Sequence, residues 1–504
     1  MHQEPGIYKN NAQITLYCIG RNYTCIGARR VAAYAKANGI RVRTIFIPDG
    51  FSGISSLDKS CLSSLLAAIS DSTVHALSFF SNCLKTATAL TSIIKQNFTA
   101  PVIWGGVHAT AAPEDSLKYC DAVCLGEGEQ AFVEYISAVA NSKPVSGIQN
   151  IWLSTPDGIE KNIQRPLERN LDRLPFQDYD INDHLILINN RLRPLTLNDI
   201  KRNFGFTLTR MLTFGCPYRC TYCINDRYQA LDISHAKMRR YSVDYFLKET
   251  LHILDRLPFI HYLAIDDDAF LSLDIDLIEE FCEKYKKEIN LPFAIGGIRP
   301  ETVSKDKLSL LIGAGLLTVR MGIQSGSERT QKEIFKRHFS RDNIIEAAKT
   351  LNSFKRKLRP PFYDIILDNP WENSDDKRKT LRLLRDLPHP FYLSAFSLTF
   401  FPGTRLYQKA REEGIIDEYK PRPDFQDIRK SYVNMMAYLL STVKIPEKLF
   451  NKLVNSKRIE DENKGYALQY YFLLSLKLAH RLFSFYGNYR FIKAKIHNLL
   501  HRRA

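Results

Sequence analysis

Short apolar runs that alternate with helix-forming segments constrain this chain most, and they fall into two blocks. In the first, Ile14–Ile19, Arg41–Ile47, Val74–Phe79, Pro101–Trp104 and Ala122–Leu125 read as buried strands. Gly27–Asn38, ended by Gly39, reads as a helix between them, as do 57–70, 84–97 and 113–119. Five strands interleaved with helices predict a parallel, doubly wound sheet whose ligands bind beyond the carboxyl ends of its strands. In the second block Met211–Phe214, Tyr262–Ile265, Phe293–Ile295, Thr318–Ile323, Phe362–Leu367 and Leu393–Thr399 recur with helical spacers. Six such units fit a partial (β/α) barrel, whose chemistry lies at the carboxyl ends of its strands.

A chain of 504 residues exceeds the roughly 250–300 residues at which a single core stops growing. The α/β reading therefore divides into a doubly wound Rossmann-like domain over 1–142, a connector over 143–205, a partial barrel over 206–415 and a helical extension over 416–504. The connector is expected to be irregular, because Pro144, Pro156, Pro166, Pro175 and Pro194 interrupt it. With 45% hydrophobic and 25% charged residues, the composition is that of a globular protein.

The first residues lack a basic stretch followed by an apolar one, and no run reaches the roughly 18 apolar residues of a membrane span. These features predict a cytoplasmic protein whose ten cysteines are thiols and metal ligands. The net charge of +16 is concentrated at the end, where 463–504 carry eight Lys or Arg and no Asp or Glu. There Leu473, Leu476, Leu482, Phe483 and Ile492 mix with Lys477, Arg481, Arg490 and Lys493. That pattern fits a helix packed on the barrel with a solvated basic face, or one that touches a membrane surface from the cytoplasmic side.

The segment TFGCPYRCTYCIND places Cys216, Cys220 and Cys223 in a C-x3-C-x2-C array directly after the first barrel strand. Thiolates hold iron–sulfur clusters, and a loop this short can ligate three irons of a [4Fe-4S] cubane and leave the fourth open. A structural zinc site would want a fourth ligand, and the next cysteine, Cys282, lies far away within a helical pattern.

On this array, with Tyr222 before its last cysteine, residues 210–415 resemble the radical S-adenosylmethionine (SAM) superfamily. The resemblance implies a [4Fe-4S] cluster on the three cysteines. It further implies SAM contacts from Tyr222, from Asp266, Asp267 and Asp268 at the end of the second barrel strand, and from Arg299, Gln324, Ser325 and Ile366. A competing reading makes the three aspartates an acidic turn that caps a helix. Arg320 and Arg329 are candidates to face an anion. The fifth strand departs from the family at Asp368–Asn369, where glycine is more usual, and Pro402–Gly403–Thr404 is expected to be a structural turn that caps a helix.

Ahead of the barrel, WGGVHATAAPEDSLKYCDAVCLGEGEQAF resembles the cobalamin-binding domains fused to many radical SAM barrels. The resemblance implies cobalamin contacts from Arg21, Asn22, Tyr23, Ser78, Ser81, Gly105, Gly106, His108, Gly126, Glu127 and Gly128. No D-x-H-x-x-G motif follows the first strand, so cobalamin is expected base-off, without a histidine below the metal. His108 also reads as a hydrogen-bonded turn residue. The other cysteines, Cys18, Cys25, Cys61, Cys83, Cys120 and Cys124, read mostly as buried small hydrophobes.

The combination implies a methyltransferase that moves a methyl group from methylcobalamin to an unactivated carbon through a 5′-deoxyadenosyl radical. Its expected partners are a small-molecule substrate that is lipid-like, a tetrapyrrole or otherwise anionic, and an electron donor such as flavodoxin or ferredoxin. Three alternatives stand beside it. An oxidative cyclase would use the same cofactors. A tRNA methylthiotransferase would use Cys25, Cys61 and Cys83 for a second cluster, but lacks its C-terminal β-barrel, and a nucleic-acid partner is not expected. A SAM- or cobalamin-responsive binding protein would have no turnover. The residue that positions the substrate radical is not identifiable from the pattern.

Overall fold

The computed structural model describes residues 12–48, 54–419 and 428–460. The first parallel strands are β1 (Gln13–Ile19), β2 (Arg41–Ile47), β3 (Val74–Phe79), β4 (Val102–Gly105) and β5 (Ala122–Cys124). Alternation along β1 sends Ile14, Leu16 and Cys18 to one face of the sheet and Tyr17 and Ile19 to the other, as a strand covered by helices on both sides requires. The first face shares one continuous core with the barrel, through Leu208, Leu212 and Tyr241.

Residues 143–205 are not the irregular connector that their prolines suggested. They supply β6 (Ile151–Thr155), β7 (Gly158–Lys161), β8 (His184–Ile188) and β9 (Arg191–Pro194). The completed sheet runs β7-β6-β5-β4-β3-β1-β2-β8-β9. Apolar residues at Ile151, Leu153, Ile186 and Leu187 seat these short strands in the cores. Pro194 ends the outermost strand, where a missing N–H breaks no ladder.

The barrel is a second, six-stranded sheet of β10 (Thr207–Arg210), β13 (Tyr262–Ile265), β14 (Phe293–Ile298), β15 (Leu316–Gln324), β16 (Phe362–Leu367) and β17 (Tyr392–Ser397), all parallel and in that order. Its first strand therefore precedes the expected Met211–Phe214. Thr207–Arg210 pairs with β13, while β11 (Thr213–Phe214) turns away to pair antiparallel with β12 (Arg239–Arg240). Asp267 forces that turn, accepting hydrogen bonds from Leu212 N (2.8 Å), Thr213 N (3.1 Å) and Thr213 Oγ1 (2.8 Å).

Beyond the barrel, Tyr432–Thr442 and Glu447–Val454 are helical, in line with the expected extension. At Asp368, where the family more often has glycine, φ is 57°. The Asp368 carboxylate accepts from Arg429 N (3.0 Å) and Asn434 Nδ2 (2.8 Å), which docks the first of these helices at the end of β16. The basic segment 463–504 lies outside the described residues. Among the described residues no helix is long and apolar enough to cross a membrane.

Candidate functional site

The loop between β11 and the helix Ile224–Leu231 carries the three cysteines, and the scaffold satisfies its backbone. Cys216 N donates to His235 O (3.1 Å), Gln229 Nε2 donates to Cys216 O (2.6 Å) and Tyr218 O (2.9 Å), and Leu406 N donates to Thr221 O (3.0 Å). Thr221 Oγ1 reaches Ile334 O at 2.6 Å. Gly215 enters the turn at φ 89°, and a Cβ there would stand 2.7 Å from Lys237 O, so only glycine fits.

With the backbone tied down, the thiols are what the loop presents. Cys216 and Cys220 are buried, Cys223 partly so. Burial pushes the Cys216 thiol up to about 12 and raises Cys223 as well, and each feels the charges of Asp268 and of its fellow cysteines. A bound metal cation would hold such thiols as thiolates. Arg299, ion-paired with Glu301 through Nε (2.5 Å), also donates from Nη1 to Cys220 Sγ at 3.2 Å. Among the described residues no three His, Cys, Asp or Glu converge as ligands of a single ion. A cubane does not ask them to, because each sulfur binds a different iron. The donor set therefore fits a cluster better than a lone zinc ion.

The expected SAM contacts divide into two kinds. Asp266 and Gln324 stand at the strand ends with no hydrogen-bonded side chain among the described residues, Gln324 at φ 59°. Asp268 is bonded to Asn225 and faces Cys216 and Cys223. The rest are committed within the protein. Asp267 holds the β10–β11 turn and is not available to a ligand. Ser325 Oγ donates to Glu372 Oε1 (2.8 Å) beside Thr380. Tyr222 OH accepts from Arg337 Nη1 (2.7 Å), and Ile366 packs near it in a small apolar cluster with Phe335 and Leu398. Neither arginine proposed to face an anion is open: Arg320 grips Asp364 (2.8 Å) and Arg329 grips Asp376 (3.2 Å).

The expected cobalamin contacts divide in the same way. Arg21 and Asn22 are exposed, but the Asn22 amide oxygen accepts from Thr24 N (2.8 Å) and Thr24 Oγ1 (2.6 Å). Tyr23 does not face a ligand, because its ring is buried against Phe46 at 5.5 Å between centroids. His108 is 2% exposed, bonded through Nδ1 to Ser81 Oγ (3.0 Å) and stacked on Phe79. Gly106 serves the fold: at φ 83° a Cβ there would stand 3.0 Å from Ser78 Oγ and 3.2 Å from Phe79 N. Gly128 likewise closes on Cys124 Sγ, and Gly126 N donates to Thr110 Oγ1 (3.0 Å). All four glycines are half-buried, and Gly105 is the one that ends a strand, β4.

Glu127 is an interdomain clamp. It takes a two-pronged pair from Arg239 on β12, with Arg239 Nη1 at 3.0 Å from Oε2. Beside it Arg30 bridges Glu129 at 2.8 Å and lies 4.6 Å from the ring centroid of Phe214. The helix that follows the cysteines meets the helix Gly106–Ala111, which leaves the end of β4, where Arg227 Nε reaches Thr110 O at 3.3 Å. Neither Arg239 nor Arg30 carries a local signal, since each partner lies in another element. Cys25 lies across the sheet from Cys61 and Cys83, which removes the juxtaposition a second cluster would need.

Residues 211–384 match the radical SAM superfamily, and residues 13–136 match the B12 binding domain. The chain is 25% identical over 327 residues to an uncharacterized methyltransferase of Pyrococcus horikoshii, covering 61% of this chain and 62% of the relative. It is 26% identical to the cytidylyl-2-hydroxyethylphosphonate methyltransferase of Streptomyces wedmorensis, covering 62% and 61%. The chain thus spans about three fifths of these relatives' length. Among solved structures it resembles the radical SAM methyltransferase TsrM of Kitasatospora setae with cobalamin and a [4Fe-4S] cluster bound. That match has a TM-score of 0.63 at 15% identity and covers 81% of this chain and 80% of the other. The cobalamin-dependent SAM radical enzyme OxsB gives a TM-score of 0.59 at 16% identity, covering 85% and 66%. These matches show a shared fold over most of this chain.

Proposed function

The chain is a member of the radical SAM superfamily that carries a B12 binding domain, and from that premise we propose that it is a methyltransferase acting on an unactivated carbon of a small molecule. The observation that carries the reading is the junction just described, in which the helix leaving the cysteine loop packs on the helix Gly106–Ala111 at the carboxyl end of β4 in the B12 domain. That contact brings the loop that would hold one cofactor next to the strand ends that would hold the other.

When bound, the cluster with SAM supplies a 5′-deoxyadenosyl radical and cobalamin supplies a transferable methyl group. Cys216, Cys220 and Cys223 would hold the cluster, with Arg299 donating to the sulfur of Cys220. Asp266 and Asp268 offer acceptors for the SAM ammonium, and Gln324 offers a neutral amide. The Glu127–Arg239 clamp and the Arg227 contact hold the two halves in register and keep water from the space between them. An electron donor of the flavodoxin or ferredoxin class, a cytoplasmic location and membrane-surface contact through 463–504 complete the proposal.

Anaerobically reconstituted protein, reduced in the presence of SAM, is expected to release 5′-deoxyadenosine, and methyl-labelled SAM should pass its label to a cell-extract metabolite. An intact cluster that yields no 5′-deoxyadenosine would remove the enzyme reading. 5′-Deoxyadenosine with an unlabelled product would replace methyl transfer by cyclisation.

A further inference from the structure

At the centre of the first sheet the order β4-β3-β1-β2 changes its direction of winding between β3 and β1. In doubly wound sheets a planar cofactor sits beyond the carboxyl ends of the strands at such a point. Ile19 and Phe79 are in register as the last residues of these two strands, so Gly20 and Phe80 stand level at the fork. The fork is open at Gly20, where nothing lies within 4 Å of an added Cβ. Phe80 is 60% exposed, whereas Phe79 and Ser81 on either side of it are each 3% exposed. The chain thus turns its flanking side chains inward and holds one aromatic ring out at the place where the fold receives a cofactor.

The polar side chains nearby are held by the protein. His108 is closed against Ser81, and the Asn22 amide oxygen is taken by Thr24. Tyr23 is packed on Phe46. Arg21 in the β1 loop is exposed as well, but Phe80 is the exposed large apolar side chain of the two loops.

We propose that Phe80 lies beneath the cobalt of the bound cobalamin, filling the lower axial position with an apolar ring in place of a ligand atom. The proposal rests on the reading that this chain binds cobalamin and transfers its methyl group. The methyl-bearing face must turn to the barrel mouth, so the sheet edge receives the opposite face. An aromatic ring there buries apolar surface, excludes water and offers the metal no donor. Absence of a histidine motif in the β1 loop leaves that position to the β3 loop.

Electron paramagnetic resonance of cob(II)alamin bound to the full chain tests this. The wild-type spectrum is expected without nitrogen superhyperfine splitting, and Phe80→His is expected to acquire it, because an imidazole placed there reaches the metal. Phe80→Ala is expected to bind cob(II)alamin about tenfold more weakly and to shift its absorption spectrum as water enters. A Phe80→His spectrum without nitrogen splitting from folded protein overturns the placement. Should Phe80→His fail to fold, affinity kept in Phe80→Leu and lost in Phe80→Ala supports it, and equal affinity in wild type and both variants overturns it. Wild-type protein that binds no cobalamin overturns the underlying reading, and the proposal falls with it.

Discussion

Glu127, in the loop after β5, and Arg239, on β12, form a two-pronged ion pair across the boundary between the B12 domain and the barrel. Arg239 also donates to Glu168 O at 2.7 Å, so one guanidinium ties three segments together.

Loss of that pair should loosen the domains. Burial alone would raise the Glu127 carboxyl, but the Arg239 pair and the Arg30 charge outweigh it and hold it below the usual range. A depressed carboxylate stabilises fully above its unfolded pKa, and the contribution disappears as pH falls through the folded value. Glu127→Gln is therefore expected to cost about 2–3 kcal/mol at pH 7, with the difference from wild type shrinking in acid. Denaturant unfolding at neutral and acidic pH measures both.

Arg210 and Glu249 are paired with side chains 0% and 1% exposed, and Glu249 also accepts from Gln177 N at 2.7 Å. Removing one partner strands a buried charge, so Glu249→Ala should destabilise by about 3–5 kcal/mol. Replacing both by methionine should recover most of that. A double variant no more stable than Glu249→Ala in thermal unfolding would contradict the argument.

Burial lowers the His108 imidazole to about 4 from 6.5, Asp115 opposing only weakly. The unfolded chain then takes up the proton first, so stability is lost as pH drops from about 6.5 towards about 4, by about 3 kcal/mol in all. His108→Gln should flatten this part of the stability–pH curve, as unfolding midpoints at a series of pH values would reveal.

Cys220→Ala should drop bound iron from about four per chain to near zero and abolish 5′-deoxyadenosine formation, while cobalamin binding by the first domain persists. Iron and cobalt analysis of the same sample gives the answer. Full iron content in this variant would exclude Cys220 as a ligand.

Local pattern alone determined much of the architecture. The runs Arg41–Ile47, Val74–Phe79, Tyr262–Ile265 and Phe362–Leu367 have the observed strand limits, because β-branched and aromatic residues between turn formers leave little choice. The spacing of Cys216, Cys220 and Cys223 likewise puts three thiols on one loop without help from the rest of the chain. Tertiary structure decided what became of the other polar groups. Asp267 met Leu212 and Thr213, Ser325 met Glu372, His108 met Ser81, and Glu127 met an arginine 112 positions away. A strand end reads the same in sequence whether its side chain faces a ligand or the protein. Which one it faces depends on partners brought in by the folding of distant segments, since a buried polar group must be bonded by whatever lies closest.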